Sequence, residues 1–326
     1  MKIKVRECLF IAAVALLVSG SQSRAEKMLE LDGDAAASHN DVVYAVPARE
    51  GWQGLPLGNG RLGAQVWQPD RLLFQINTPF SGVYGGAIAR LKFATEPFML
   101  DGLQTYRQRL SLDSATVTTE ITGEQGDIYV RSFVPADTDG LILEVQDHRA
   151  GDVKRFVELE AWRQTASRNA ADDILLVSDT LTVNRGSQGA SLADQGLSDY
   201  RYALAVGIEG ADTGEQAADQ QNTIRLEIDG RRFAVHAAFF GTRQEQVDVV
   251  SVARKRLEAS MRRGVTAIRR DHEGWWRDFW SKSFVQLASD DGAADYLANL
   301  WYMHLYTMGI GSRGEVPPKF NGGLWA

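Results

Sequence analysis

Cysteine is almost absent from this sequence. The single cysteine, Cys8, lies at the start of an apolar run near the N-terminus. One thiol cannot form an intramolecular disulfide, and a zinc site built from cysteines needs several thiolates. Disulfide-stabilised scaffolds and cysteine-ligated metal centres are therefore excluded.

Histidine is also scarce, and no two of the five histidines have the i, i+4 spacing of a helical metal site. The sequence has no G-x-S-x-G nucleophile motif. No acid–base pair of carboxylates can be identified from spacing, because such pairs meet only in the fold. We therefore predict no metal and no cofactor, and we assign no catalytic residue. His304, on an apolar helical segment, is interpreted as a core histidine.

An excess of positive charge is missing as well, since the formal net charge is −7. An acidic protein is a poor candidate for binding nucleic acid or an anionic membrane. Residues 254–270 do carry a basic helical face, which we interpret as a solvated face packed beside an acidic domain.

The N-terminal residues have the features of a signal peptide. Lys2 and Lys4 precede an apolar stretch that is short for a membrane span, and Ser23-Arg24-Ala25 forms a small-x-small cleavage site. We predict a signal peptide at residues 1–25 and a bacterial protein exported to the periplasm or the exterior, with no membrane contact after cleavage. Cleavage would also remove Cys8, which excludes thiol catalysis.

Strand-like segments, alternating or β-branched, run from about residue 40 to 245 and are separated by turn signals such as Asp229-Gly230. The links are short and show no helical period, which favours antiparallel hairpins over parallel βαβ units. The polar stretch 211–222 is predicted to be a loop.

The hydrophobic period becomes helical at about residue 245, and this helix is predicted to run into an aromatic cluster at 275–280. We interpret the cluster as a packing contact between two domains. A second helix, 293–310, is apolar or aromatic nearly all round and must be enclosed. Either the β domain covers it or the chain is the front part of a longer protein, and we favour the second. Its apolar or aromatic positions include Leu297, Leu300, Trp301, His304, Leu305 and Met308.

A glycine-rich stretch at residues 58–63, GNGRLG, matches the dinucleotide pattern G-x-G-x-x-G. That use requires a strand before the glycines and a helix after them, whereas here a hairpin pattern follows. We predict that the glycines allow positive φ and close backbone approach at a sheet edge. Asn59 and Arg61 then either reach into a neighbouring cleft or belong to a structural turn with an exposed arginine.

The eight tryptophans are many for this length. Buried aromatic packing is the more common explanation, and platforms for sugar rings are the alternative.

Two segments together resemble glycoside hydrolase family 95, which includes 1,2-α-L-fucosidases. GWQGLPLGNGRLGAQVW, residues 51–67, followed by LLFQINTPFSG, is similar to the N-terminal signature of that family. LYTMGIGSRGEVPPKFNGGLW, residues 305–325, resembles its S-S-R-x-G-x-x-P-x-N-L-Q-G-x-W pattern, and its PPKFNGGLW part looks closer to uncharacterised bacterial relatives.

The resemblance implies a mainly β fold: an antiparallel β-supersandwich followed by linker helices and an (α/α)6 barrel. On that template residues 26–245 form the supersandwich and residues 246–289 form the helical linker. Residues 290–326 form the start of a truncated barrel, so only the first helix of an incomplete (α/α)6 barrel is expected.

The sequence also departs from the family. N-E-D-T-L-W-S-G becomes NTPFSG at residues 77–82, so two acids and a tryptophan are lost and fucose specificity does not carry over. The family's catalytic groups lie in the barrel beyond the matched segments, and none can be placed here. The resemblance leaves part of an active-site rim, with substrate-binding roles for Asn59, Arg61, Asn321 and Trp325.

We therefore expect the N-terminal part of an exported, inverting glycoside hydrolase that acts on oligosaccharides or polysaccharides and is inert alone. The alternative is a non-catalytic carbohydrate-binding β-sandwich module. A third, weaker hypothesis is an interaction protein that recruits a partner through the apolar helix. The expected partners are a carbohydrate and the missing C-terminal barrel or another helical partner.

Overall fold

The computed structural model describes residues 33–80, 86–182, 198–218, 222–287, 289–314 and 324–325. The predicted signal peptide, residues 1–25, lies outside these ranges. In chain order the strands are β1 (Val42–Tyr44), β2 (Leu55–Gly58), β3 (Gly63–Trp67), β4 (Leu72–Asn77), β5 (Ala89–Glu96), β6 (Leu103–Ser111), β7 (Thr116–Gly123), β8 (Gly126–Phe133), β9 (Gly140–Asp147), β10 (Lys154–Ala161), β11 (Ser167–Ala171), β12 (Ile174–Leu181), β13 (Tyr200–Glu209), β14 (Asp212–Ala218), β15 (Thr223–Asp229) and β16 (Arg232–Thr242).

The strands form two antiparallel sheets. One has nine strands in the order β1-β6-β7-β8-β9-β16-β13-β12-β11, and the other has seven in the order β14-β15-β10-β5-β4-β3-β2. Neighbours in space are mostly neighbours in sequence, as short hairpin links require. The predicted antiparallel β-sandwich followed by helices is confirmed.

The main hydrophobic core lies between the two sheets. Phe74 and Phe93 of the seven-stranded sheet and Leu204 of the nine-stranded sheet are completely buried. Successive residues of a strand point to opposite faces, so the alternating apolar residues of each strand meet in one layer. The hydroxyl of Tyr202 on β13 donates to the carbonyl of Ile88 beside β5, at 3.2 Å, and so links the two sheets.

The prediction of a loop over 211–222 is wrong in part, because β14 occupies Asp212–Ala218 and pairs with β15. Its side chains are mostly exposed, and the register shifts between Thr213 and Gln216. An edge strand exposed on both faces needs no apolar alternation, since backbone hydrogen bonds hold it. Hydrophobic periodicity therefore gives no signal for this strand.

Four helices and one 3₁₀ turn complete the described structure. They are α1 (Gly33–Ser38), the 3₁₀ turn (Gly51–Gln53), α2 (Val249–Arg263), α3 (Val265–Trp280) and α4 (Ala293–Gly311).

The single helix predicted after residue 245 is in fact two helices, α2 and α3. Helix α2 begins after Asp248, whose carboxylate accepts hydrogen bonds from the backbone N–H groups of Val250 and Ser251. The break is Gly264, with φ of 77°. Because a residue with a side chain is strained there, glycine is the residue that ends one helix and starts the next.

Helix α2 packs on the outer face of the nine-stranded sheet, where Ala253 and Leu257 are buried. The basic face of α2 and α3 pairs with acidic side chains of the sandwich, as predicted. Arg269 bonds Glu144 at 2.7 Å, and Arg263 bonds Asp137 at 2.8 Å.

The aromatic cluster of α3 joins the sandwich core. Trp276 and Trp280 are fully buried together with Tyr302 and Tyr306 of α4. The indole N–H of Trp280 donates to the carbonyl of Leu112, at 2.8 Å. The helices are therefore continuous with the hydrophobic core of the sandwich.

Helix α4 has one buried and one exposed side. Tyr302, Tyr306 and Ile310 face the core, and the Tyr306 hydroxyl donates to the carbonyl of Pro56, at 2.7 Å. The opposite side is exposed at Tyr296, Leu297, Leu300 and Met308. His304 lies on this exposed side, so its interpretation as a core histidine is wrong. The sandwich and α3 together cover one side of α4, and the opposite apolar side is open.

Among the described helices, none combines the length and the apolar character that crossing a bilayer requires.

Candidate functional site

The glycine-rich stretch forms the tight turn between β2 and β3. Asn59 is completely buried, and its side-chain oxygen accepts hydrogen bonds from the backbone N–H groups of Arg61 and Leu62, at 3.0 and 2.9 Å. Its amide group donates to the carbonyls of Pro135 and Thr138 in the β8–β9 loop, at 3.1 and 2.9 Å. The hydrogen-bond donors and acceptor of this side chain are all paired within the protein, so Asn59 positions the turn.

The turn is also locked to the end of α4. Gly60 has φ of 82°, and its N–H donates to the carbonyl of Ile310, at 2.7 Å. A Cβ at Gly60 would lie 2.3 Å from the backbone nitrogen of Arg313. The glycines thus provide positive φ and close backbone approach, as predicted.

Arg61 projects from this turn into a cleft. Its Nε donates to Asp139 at 2.7 Å, and its side chain is 39% exposed. Of the two alternatives, a structural turn and side chains that reach a neighbouring cleft, Asn59 fits the first and Arg61 fits the second.

Trp325 lies in a different depression, on the outer face of the seven-stranded sheet. Its indole N–H donates to the carbonyl of Leu57, at 3.0 Å. The structure therefore separates Arg61 from Trp325, and Asn321 lies outside the described residues.

The depression at Trp325 is an open groove of about 720 Å³, which we call the tryptophan groove. Its aromatic members are Trp52, Trp67 and Trp325, and its polar members are Arg49, Glu50, Gln65, Gln75 and Arg90.

The floor of the tryptophan groove is a row of polar side chains on adjacent strands. Gln65 on β3 is opposite Gln75 on β4, which is opposite Arg90 on β5. Arg90 is in turn opposite Glu160 on β10, and these two side chains form an ion pair at 3.5 Å. Since residues directly across antiparallel strands share a face, the floor presents two amides and a cation side by side, and the carboxylate of Glu160 continues the row beyond the groove lining.

Trp52 forms one wall of the groove, and it is 81% exposed. It lies in the 3₁₀ turn, where the side-chain oxygen of Gln53 accepts from the N–H groups of Arg49 and Glu50, at 3.0 and 3.1 Å. The hydroxyl of Tyr44 donates to the Gln53 carbonyl, at 3.0 Å. The turn is therefore held in place while its indole faces solvent.

An exposed indole beside amides and charged groups suits a flat, hydroxyl-bearing ligand. The indole face packs against apolar C–H surface, while amide and guanidinium groups donate to hydroxyls and carboxylates accept from them. Trp52 is not among the residues predicted from the sequence to bind substrate. Its position in a glycine-flanked turn, GWQG, was the available signal, because such a turn presents a side chain to solvent.

One buried hydrogen-bonded chain contains a serine, a histidine and a glutamate. His236 Nδ1 lies 2.8 Å from the Ser260 hydroxyl, and Nε2 lies 2.7 Å from Glu209. The same glutamate oxygen accepts from the N–H of Val265 at the start of α3. Burial lowers the pKa of His236, although Glu209 opposes that shift. The chain fastens the α2–α3 junction to β13 and β16, which is a structural role.

Metal ligation has no support in the described part of the chain, where no group of three His, Cys, Asp or Glu side chains is arranged to hold an ion.

Comparison with known proteins gave matches for the fold only. No protein-family model matches the sequence, and no curated protein matches it. Among solved structures, the chain is similar to a protein from the human microbiome described as a kojibiose phosphorylase, with a TM-score of 0.55 and 8% identity over 82% of this chain and 41% of that one.

Two further solved structures have lower scores. A bacterial glucoamylase in complex with acarbose gives a TM-score of 0.48 at 11% identity, over 83% of this chain and 44% of that chain. A family 92 glycosyl hydrolase gives 0.46 at 12% identity, over 85% and 41%. The chain thus spans less than half the length of each. The similarity to the phosphorylase shows a glycosidase-like fold, and at this identity it shows the fold alone.

Proposed function

We propose that this chain is the sugar-recognising β-sandwich part of an exported glycoside hydrolase, and that its tryptophan groove binds neutral oligosaccharides. The observation that carries the proposal is Trp52, an indole that is almost fully exposed, anchored by its turn and set beside a row of polar groups. A large aromatic side chain exposed next to hydrogen-bonding groups is typical of a binding surface. The glycosidase-like fold supports carbohydrate as the ligand class.

The resemblance to family 95 supports the finer assignment to a hydrolase. In that family the carboxylic acids that break the glycosidic bond lie in the barrel, which the matched segments do not reach. We therefore assign recognition of the sugar, and not bond cleavage, to the residues described here. Hydrolysis would proceed with inversion, with one acid protonating the leaving oxygen and a base activating water. Turnover of aryl glycosides by the purified chain alone would contradict this division of roles.

The groove itself is tested by binding measurements on the purified chain. A panel of neutral plant and mucin oligosaccharides is screened on a glycan array, and hits are measured by isothermal titration calorimetry. We expect Trp52→Ala to weaken the best hit by about tenfold or more, because one stacked aromatic face is lost. Quenching of tryptophan fluorescence on binding is expected in the wild type.

Tyr296→Ala is the matched control, since Tyr296 is also an exposed aromatic, at 66%, on the open side of α4. It should leave affinity unchanged. Equal loss of affinity in both variants, or no neutral glycan bound at all, would refute the groove as a sugar site.

A non-catalytic carbohydrate-binding module is the second candidate. It is favoured by the open shape of the groove and by the absence of a second carboxylate facing Glu50 across it among the described lining residues. The two candidates differ in ligand length. A module that binds polysaccharide gains affinity with each added sugar unit along the groove, whereas a subsite that ends at a reaction centre gains little beyond a few units.

A further inference from the structure

Arg61, Arg256 and Arg313 line a second depression of about 400 Å³, which we call the arginine cleft. They come from three separate elements. Arg61 comes from the β2–β3 turn, Arg256 from α2, and Arg313 from the segment after α4. The cleft lies away from the tryptophan groove, and the two have no described lining residue in common. Its volume is in the range of small-molecule sites, roughly 300–1,000 Å³.

The cations of the cleft outnumber its anions. Asp139 is the one acidic residue among the described lining residues, and it serves both Arg61 at 2.7 Å and Arg256 at 3.5 Å. Arg313 has no carboxylate partner among the residues that the structure describes. In a protein whose overall charge is negative, a concave site with surplus positive charge concentrates anions.

The arginines also keep free hydrogen-bond donors. Arg61 uses its Nε on Asp139, Arg256 uses Nη1 on the carbonyl of Phe239 at 2.9 Å, and Arg313 uses Nη2 on the carbonyl of Ala136 at 2.6 Å. Nη1 of Arg313 is buried and has no partner within the described part of the chain. A guanidinium carries five N–H donors, so each arginine retains several that can bind a planar carboxylate.

Arg61 and Arg313 repel each other. Burial and the nearby charge of Arg61 together lower the pKa of Arg313 to about 10, and the charge of Asp137 opposes this shift. The repulsion is fixed by the backbone, because the Gly60 turn packs directly against the backbone of Arg313. An anion bound between the two guanidinium groups would relieve this repulsion, so the folded protein is preorganised to bind an anion.

Aromatic rings line another part of the cleft, beside glycines and Pro79. The ring of Phe80 stacks on Tyr200 with centroids 4.3 Å apart, and Phe240 lies under the guanidinium of Arg256, at 4.8 Å. Phe80 and Phe240 are partly exposed. The cleft therefore offers an apolar surface and a cationic surface to the same ligand.

We infer that the arginine cleft binds a carboxylate-bearing sugar, a hexuronate residue, with its carboxylate between Arg61 and Arg313 and its ring against Phe80 and Phe240. The residues of the cleft by themselves support an anionic ligand, while the inference that this anion is part of a sugar rests on the proposed function. A plain carboxylate would use the arginines but not the aromatic rings, which is why an acidic ring compound is the better match.

The test is binding of sodium D-glucuronate and D-galacturonate to the purified full chain, measured by ligand-observed NMR and calorimetry. D-glucose and D-galactose are the neutral controls, and sodium acetate is the control for the bare anion. We expect at least one uronate to bind about tenfold more tightly than its neutral counterpart and than acetate. Added salt should weaken the binding. Equal affinity for uronate and neutral sugar, equal affinity for uronate and acetate, or no uronate binding would each overturn the inference.

Variants locate the site. Arg256→Gln and Arg313→Gln should each weaken uronate binding by about fivefold or more, because each removes a cation from the cleft. Arg256 is 43% exposed, so its replacement keeps the test decisive if the Arg313 variant fails to fold. Arg262→Gln is the matched control, since Arg262 is an exposed arginine on the same helix that does not line the cleft. Uronate binding that survives both cleft substitutions in folded protein would overturn the assignment.

The proposals for the tryptophan groove and the arginine cleft can be tested independently of each other. Trp52→Ala should leave uronate affinity unchanged, and Arg256→Gln should leave affinity for neutral oligosaccharides unchanged. Loss of uronate binding in Trp52→Ala would mean that the acidic sugar occupies the tryptophan groove, which would overturn the inference for the cleft.

Discussion

The tryptophans of helix α3 and the tryptophan of the 3₁₀ turn are in opposite surroundings. Trp276 and Trp280 are completely buried, four residues apart on one helical face, and they pack on Tyr302 and Tyr306 of the next helix. Trp52 is 81% exposed and has glycine on one side of it and glycine two residues later. The same residue type is thus part of the core in one place and of a surface in the other.

The difference shows how structural and functional tryptophans can be distinguished in a tryptophan-rich sequence. Helical spacing places several indoles on one face, and a face of that size must be buried. Trp52 lies in a short turn, and its 81% exposure shows that no described element covers it. Spacing and local chain type therefore separate the structural from the functional tryptophans better than their number does.

The largest expected effect on the free energy of unfolding is at a buried tryptophan of α3. Trp276→Ala should lower the free energy of unfolding by about 3–5 kcal/mol, since it empties the centre of an aromatic cluster. Urea denaturation followed by far-ultraviolet circular dichroism measures it. A loss below about 1 kcal/mol, which is typical of surface substitutions, would mean that α3 is not part of the sandwich core.

Phenylalanine substitutions refine that prediction. The indole N–H of Trp276 has no hydrogen-bond partner among the described residues, whereas that of Trp280 donates to Leu112. Trp280→Phe leaves a buried carbonyl without its donor, at a cost of about 1–3 kcal/mol. It should therefore be more destabilising than Trp276→Phe, which removes no hydrogen bond.

The parts of the fold that the sequence predicted are those that hydrophobic pattern determines. Alternation along the strands predicted an antiparallel sandwich, and the two-sheet structure agrees. The parts missed have no such pattern: the polar edge strand β14, held by backbone bonds, and the helix break at Gly264, set by one backbone angle. Incomplete enclosure of α4 was expected, but which side meets the core was not, because apolar residues all round do not tell the two sides apart.

The candidate sites were predicted less completely. The sequence left open whether Asn59 and Arg61 reach a cleft or belong to a structural turn, and the structure puts Arg61 in a cleft and Asn59 inside the turn. Their substrate-binding roles stay predictions. The partners of Arg61 in the cleft are 195 and 252 residues away in sequence, at Arg256 and Arg313. No spacing rule connects them, since they meet only when α2 and α4 pack on the sandwich.

Acid sensitivity of the buried face of α3 is the next effect in size. His272 lies one turn before Trp276, stacks on Phe133 with centroids 4.8 Å apart, and its Nε2 donates to the carbonyl of Ser114, at 2.7 Å. Burial lowers the pKa of His272 from 6.5 to about 4. The unfolded chain therefore binds a proton at higher pH than the folded chain. The stability that neutral His272 contributes is present in full above pH 6.5. It is lost as the pH falls to about 4, and the loss is roughly 3 kcal/mol at most.

Urea titrations between pH 7 and pH 4 measure this loss, and His272→Gln is the control because it can keep a donor toward Ser114 without titrating. The wild type should lose more stability than the variant over that interval. Parallel curves would show that His272 is not the buried titrating group, and that the tryptophan face of α3 is open to water.

The smallest expected effect is on the exposed side of the comparison. Trp52→Ala should change the free energy of unfolding by less than about 0.5 kcal/mol, as is usual for exposed positions. The turn keeps its own hydrogen bonds through Gln53 and Tyr44, and neither involves the indole. The measurement is the same urea denaturation, with oligosaccharide affinity determined on the same sample. A residue that contributes nothing to folding and much to affinity has a role in binding. A destabilisation above about 1 kcal/mol would instead group Trp52 with the structural tryptophans, and the groove would then have no residue assigned to sugar recognition.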